Sequence, residues 1–173
     1  MQMGLPPLRS GRAACVLAAA WLLLASGLSA QRSLENQHAP PFSLQDMQGR
    51  RIDLAQYRGK VVLLNFWATW CAPCRLEMPK LIEWQTRYGI QGFQVLGVSI
   101  DDTAAPVRPF LNQLHVNYPV VMGDSKLEQL YGGIDGVPVT FLIDRQGIVR
   151  ERFDGGPDLG ALEWEVKRLL AGH

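Results

Sequence analysis

Cys71 and Cys74 stand three residues apart in the segment Trp70-Cys71-Ala72-Pro73-Cys74, directly after the apolar run VVLLNFW of residues 61–67. Two thiols at that spacing can open and close a disulfide reversibly. If the second thiol lies at the start of a helix, the unpaired N–H groups of the first turn and the helix dipole stabilise a thiolate on the first. Cys71 is then the nucleophile, and Cys74 is within reach to resolve a mixed disulfide. Pro73 suits that place because a first-turn residue needs no N–H partner. The same spacing also serves as half of a zinc site, which requires two more ligands. The only other cysteine is Cys15, and His38, His115 and His173 are scattered, so no metal site is expected. A purely structural disulfide is the remaining use of the pair, and a closure over three residues is a strained, reducible staple.

The elements that must hold these thiols follow from the apolar pattern. Residues 61–67 and 93–100 (FQVLGVSI) are nearly continuous apolar runs, the signature of strands covered on both faces. Between them residues 74–88 carry Met78, Leu81, Ile82, Gln85 and Tyr88 along one helical face, with Gly89 as a stop. Strand, helix and strand without a tight turn imply a parallel, right-handed crossover. Upstream, residues 42–44 and 51–54 flank a turn and read as a β-hairpin. Downstream the pattern gives a helix over 106–114, a short strand over 118–122 and a short helix over 125–131. Strands over 139–144 and 148–153 follow as a hairpin, then a final helix capped by Asp158. Trp67 and Trp70 read as apolar cover for the motif. Trp84 and Trp164 read as core or half-buried helix residues.

The chain has 173 residues, with 17 basic against 16 acidic side chains and 47% apolar residues. That suits one soluble globular domain with an appendage, and it excludes a disordered protein and one that grips nucleic acid by bulk charge. The appendage is N-terminal: Arg9 and Arg12 precede an unbroken apolar run from Ala13 to Ala25, then small residues through Ala30. This is the layout of an export signal, and equally of an uncleaved membrane anchor. The orientation is the same either way: the arginines stay inside and the rest is carried outside the cytoplasm. The expected organisation is a signal peptide or anchor over 1–30, a polar linker over 31–37 and a folded domain over 38–173.

The segment FWATWCAPC, Pro79 five residues beyond Cys74, and Gly136-Val137-Pro138-Val139-Thr140 opening a later strand together resemble the thioredoxin superfamily. Within it, WCAPCRLEMPKL, the extra segment before GVPVTFLIDRQG and the N-terminal hairpin are similar to the TlpA/ResA/CcmG group of thiol-disulfide oxidoreductases. The likeness spans residues 41–170. It implies an α/β thioredoxin fold: a central mixed β-sheet flanked by helices, with an N-terminal β-hairpin and a central insertion. It also implies that Pro138 follows a cis peptide bond facing the thiols, with the Val137 backbone receiving the partner chain as an added strand. Trp70 and Pro73 join Val137 and Pro138 as expected substrate-binding residues. Asn65 stands where cytosolic thioredoxins carry an Asp. Glu77 matches a Glu that in the ResA-like group assists proton transfer at the second cysteine, making it the third catalytic candidate beside Cys71 and Cys74.

The resemblance implies a disulfide reductase with no dissociable cofactor, the redox-active Cys71–Cys74 pair serving instead. The expected protein is a periplasmic monomer, soluble or anchored at the outer face of the cytoplasmic membrane. Its partners would be exported cysteine-containing proteins, such as apocytochrome c or metallo-site assembly proteins, and a membrane thiol electron donor. A peroxiredoxin-like peroxidase is one rival, since Thr69 lies two residues before Cys71, but the upstream Pro is missing. A non-catalytic assembly module is the other, and it would be expected to lose one cysteine.

Overall fold

The computed structural model describes residues 33–156 and 158–172. The signal or anchor expected over 1–30 lies outside the described residues. Among those described, no helix is long and apolar enough to cross a membrane.

Strand β3 (Val61–Trp67) is buried at every position and occupies the middle of the main sheet. It pairs in parallel with β4 (Phe93–Ser99), which pairs in parallel with β5 (Val120–Met122). On its other side β3 pairs antiparallel with β6 (Val139–Ile143), and β6 with β7 (Val149–Asp154). The result is a mixed five-stranded sheet in the order β5-β4-β3-β6-β7. The N-terminal hairpin, β1 (Ser43–Gln45) and β2 (Arg51–Asp53), forms a separate two-stranded sheet.

Alternation along β3 sends its residues to opposite faces of the sheet. Val61, Leu63 and Trp67 join a core with Met78, Leu81 and Trp84 of helix α1 (Ala72–Tyr88). The same core takes Val107 and Leu111 of α2 (Ala104–Leu114), and Leu162, Val166 and Leu169 of α4 (Leu159–Leu170). Val62, Leu64 and Phe66 pack on the opposite face with Phe42, Ile52, Tyr131 and Leu127 of α3 (Ser125–Leu130). Asn65 shares the parity of Leu63 and Trp67 and therefore points toward α1.

Helix α1 begins at Ala72, two residues before the start read from the apolar spacing. Cys71 caps it, its Sγ accepting from the Cys74 N–H at 3.2 Å, and Pro73 fits the first turn. Pro79 lies inside the helix, where it brings no N–H to the carbonyl of Arg75. Gly97 on β4 gives the Trp67 indole room: a Cβ there would meet Trp67 Nε1 at 3.2 Å and Val120 Cγ2 at 3.1 Å. The indole in turn lies against Phe110 of α2, with centroids 5.4 Å apart.

Two tryptophans depart from their expected packing. Trp164 is 61% exposed, because it falls between Leu162 and Val166 on the outward side of α4. Trp70 is 66% exposed and stands beside the thiols rather than covering them.

The ends of the sheet are closed by the chain's own early residues. Asn36 N donates to Val149 O at 2.7 Å, Val149 N to Gln37 O at 2.9 Å, and Ala39 N to Gly147 O at 2.9 Å. The end of the stretch read as a linker is thus paired to the start of β7. On the opposite side Met47 N donates to Val120 O at 3.0 Å, and Asp46 bridges to Val121.

Candidate functional site

β3 and β4 run parallel, so their carboxyl ends open at the same edge of the sheet, where ligand-facing loops of such sheets gather. The loop Ala68–Trp70 leaves β3 there and enters α1. One buried carboxylate holds it: Asp101, just past β4, accepts from Thr69 N at 3.0 Å, Thr69 Oγ1 at 2.6 Å and Ser99 Oγ at 2.8 Å. The Cys71 N–H then donates back to Ala68 O at 3.2 Å.

Cys71 and Cys74 are joined as a disulfide, their Cα atoms 5.3 Å apart. Cys71 is 4% exposed and Cys74 fully buried, so an incoming sulfur reaches Cys71 first. The N–H of Cys74 that points at Cys71 Sγ would meet the charge of a thiolate at that atom.

The second wall comes from the segment before β6. The Val137–Pro138 peptide bond is cis, as the resemblance implied, and the Val137 carbonyl oxygen lies 3.4 Å from Cys71 Sγ. Arg152 of β7 secures the chain leading into it, donating to Tyr131 O at 3.2 Å and Gly133 O at 3.3 Å while its guanidinium lies over the Phe141 ring. Pro73 faces the Gly156 turn, where a Cβ on Gly156 would stand 3.6 Å from Pro73 Cβ.

Beneath the thiols sits a buried carboxyl group. Glu77 follows Cys74 by three residues on the inward face of α1 and is 5% exposed. Asn65 Nδ2 donates to Glu77 Oε1 at 2.9 Å and to Thr140 Oγ1 at 3.0 Å, linking the helix, the central strand and β6. Burial raises the Glu77 pKa to about 7, against a lowering by the Asn65 hydrogen bond. Tyr118, buried nearby, has its phenol pushed up by burial and further by the Glu77 charge. A carboxyl group that titrates near neutrality can both take and return a proton under ordinary conditions.

Cys71, Cys74, Glu77, Trp70 and Pro73 thus lie at one end of α1, and Val137 and Pro138 meet them from the segment leading into β6. The sequence reading missed Asp101 and Thr140. The available signal for Asp101 was its place at the end of the strand parallel to β3. Thr140 lies two residues beyond Pro138 and therefore on the same face of β6.

The chain matches the AhpC/TSA family over residues 36–152. It is 36% identical over 135 residues to the thiol-disulfide oxidoreductase ResA of Bacillus thuringiensis (strain Al Hakam), covering 77% of each chain. It is 38% identical over 117 residues to ResA of Geobacillus thermodenitrificans, covering 68% of this chain and 67% of that one. A thiol:disulfide interchange protein of the thioredoxin family from Chlorobium tepidum superposes with a TM-score of 0.73 at 30% identity, over 80% of this chain and 99% of the other. Fold, paired thiols and sequence likeness agree over the same stretch of chain: the protein belongs to the AhpC/TSA family and, within the thioredoxin superfamily, to the ResA-like thiol-disulfide oxidoreductases.

Proposed function

We propose that this oxidoreductase works as a reductant of disulfides in exported proteins, with Cys71 as nucleophile, Cys74 as resolving thiol and Glu77 as the proton carrier between them. Thiolate Cys71 attacks one sulfur of the partner's disulfide, and the other sulfur leaves as a thiolate. Cys74, losing its proton to the Glu77 carboxylate, then attacks Cys71 Sγ, closes the Cys71–Cys74 disulfide and releases the partner's second sulfur. The partner gains two electrons and the pair loses two. Trp70, Pro73, Val137 and Pro138 surround the sulfur at which the partner docks. No dissociable cofactor takes part.

The observation that carries this reading is Glu77: a carboxyl group one helical turn beyond Cys74, buried, and raised to about 7. A buried thiol loses its proton to bulk water with difficulty, and this group stands ready to accept it. The remainder of the reading rests on the N-terminal sequence. Arg9, Arg12 and the run from Ala13 to Ala25 carry the folded domain across the cytoplasmic membrane as a signal or anchor. In an oxidising periplasm a membrane thiol donor must restore the dithiol. Apocytochrome c and proteins that assemble metallo-sites are the partner classes, and the domain acts as a monomer.

The test is a pair of measurements. The reduced protein should cleave insulin disulfides, and a Cys74→Ser variant should stall as a mixed disulfide through Cys71 that mass spectrometry detects. Rapid turnover of hydrogen peroxide with no insulin reduction would replace the reductase with a peroxidase. Unaltered biological activity of Cys71→Ala would leave a binding module without redox turnover.

A further inference from the structure

The partner's sulfur must arrive at Cys71, but the surface prepared for it extends beyond the four residues around the thiols. The first turn and a half of α1 presents Ala72, Arg75 and Leu76 outward, at the spacing of one helical face. Across from them, Phe110, Gln113 and Leu114 of α2 form the other wall of a groove of about 390 Å³. That wall is backed by the core: Phe110 rests on Trp67, which is wholly buried at the end of β3. Leu76 is 80% exposed, among the most exposed large apolar side chains described. With Phe110 and Leu114 it makes a contiguous apolar patch beside the reactive pair, the kind of surface that marks a partner site.

Charge narrows the occupant. The Arg75 guanidinium lies over the Phe110 ring at 5.5 Å, which fixes it at the groove wall. Among the described residues Arg75 takes part in no ion pair, and its side chain makes none of the hydrogen bonds to neutral oxygens that engage Arg51, Arg58, Arg108 and Arg145. The in-plane N–H donors of a stacked guanidinium remain available to an anion. The groove therefore offers an apolar bed, a flat aromatic wall and one cation, and it begins at the residue after the nucleophile.

We infer that this groove is a specificity site for the partner polypeptide, taking a large apolar side chain and an adjacent acidic one located a few residues from the partner's reactive cysteine. The inference rests on the reductase reading. The groove starts at Ala72, next in the chain to the sulfur that bonds the partner, so residues flanking the partner's cysteine come within its reach. The site thereby separates two tasks: Val137 and the thiols handle the sulfur, whichever protein carries it, and the α1–α2 groove selects the sequence around it.

Kinetics with short synthetic peptides test this. Each peptide carries a single cysteine in a mixed disulfide with glutathione, flanked on one side by Leu-Asp, Leu-Lys or Ser-Lys. The reduced wild-type protein should favour Leu-Asp over Ser-Lys by roughly tenfold in kcat/KM, the size expected for one apolar side chain, expressed mainly in KM. Leu76→Ser should remove the preference for Leu, and Arg75→Glu should reverse the order of Leu-Asp and Leu-Lys. Ile90→Ser, an equally apolar exposed site just past the far end of α1, should leave the preferences as they are. If wild type shows no preference, or keeps it in both groove variants, the groove is not the specificity site. Oxidised glutathione alone reports on the thiols without the groove, so a wild-type protein inert toward it overturns the reductase reading instead.

Discussion

Asn65 Nδ2 and Glu77 Oε1 are 2.9 Å apart, the amide of the central strand donating to the carboxyl group of the thiol-bearing helix. The same amide nitrogen donates to Thr140 Oγ1 at 3.0 Å. One N–H of the amide thus holds the buried acid, and the other ties the amide itself to β6. An Asp at this position would set two carboxyl groups against each other, which cannot both ionise at that separation. The amide keeps Glu77 oriented without competing for its proton.

Glu77→Gln should therefore separate stability from activity. The folded-state pKa of about 7 lies above the ordinary 4.5, so the folded protein binds the proton more tightly than the unfolded chain. Stability falls as pH rises from 4.5 to about 7 and is level above that. The ionised group costs on the order of 3 kcal/mol at alkaline pH, and Gln does not. Denaturant unfolding of the oxidised proteins should show Glu77→Gln the more stable above neutrality and equal to wild type in acid. Its disulfide exchange should slow by up to roughly 10²–10⁴-fold, the range for loss of a general base.

Asn65→Leu removes the one hydrogen bond that lowers the Glu77 pKa, leaving burial unopposed. The midpoint of the rate against pH should move upward in stopped-flow measurements of disulfide exchange, with Thr140 left unpartnered by the same change. An unchanged midpoint would mean that Glu77 does not set the pH dependence.

Asp101→Ala strips two hydrogen bonds from the loop that aims Cys71 and a third from Ser99 at the end of β4. Bonds to a buried charge contribute about 1.5–3 kcal/mol each, and they are not additive, so a loss of about 3 kcal/mol in unfolding free energy is expected. The peptide reduction rate should fall more than the stability at working temperature requires. Asp101→Asn, which can still accept from Thr69 N, should recover most of both.

Pro73 stands where a histidine would add a positive charge near the thiols. Equilibration with glutathione should therefore place the pair on the reducing side, nearer about −270 mV than about −120 mV. A value at the oxidising end would reverse the proposed direction of electron flow.

Much of this site is legible in the sequence because its parts are local. The CxxC pair, Pro73 and Glu77 fall within two helical turns, and the apolar run before them has the pattern of a buried strand. Contacts between distant segments are another matter. The meeting of Asn65 with Thr140 depends on the register of β3 against β6, in which these two residues are directly paired. Asp101 is reachable only once β4 is known to lie parallel beside β3. Trp70 and Trp164 misled for a related reason: an indole is apolar enough to suggest a core, and only the direction of its Cα–Cβ bond decides. For Trp164 the flanking Leu162 and Val166 already claimed the inner face.

The stretch from Asn36 to Met47 touches both outer strands, β7 at its start and β5 at its end. An outer strand with bare N–H and C=O groups is a template for pairing with another chain. This short early segment works as a double clasp against self-association, and it belongs to neither the sulfur chemistry nor the groove. A protein trimmed to begin at β3 would keep its thiols, Glu77 and both walls of the groove. It would nevertheless present two open margins and an apolar face stripped of Phe42 and Ile52, and should aggregate before its chemistry could be measured.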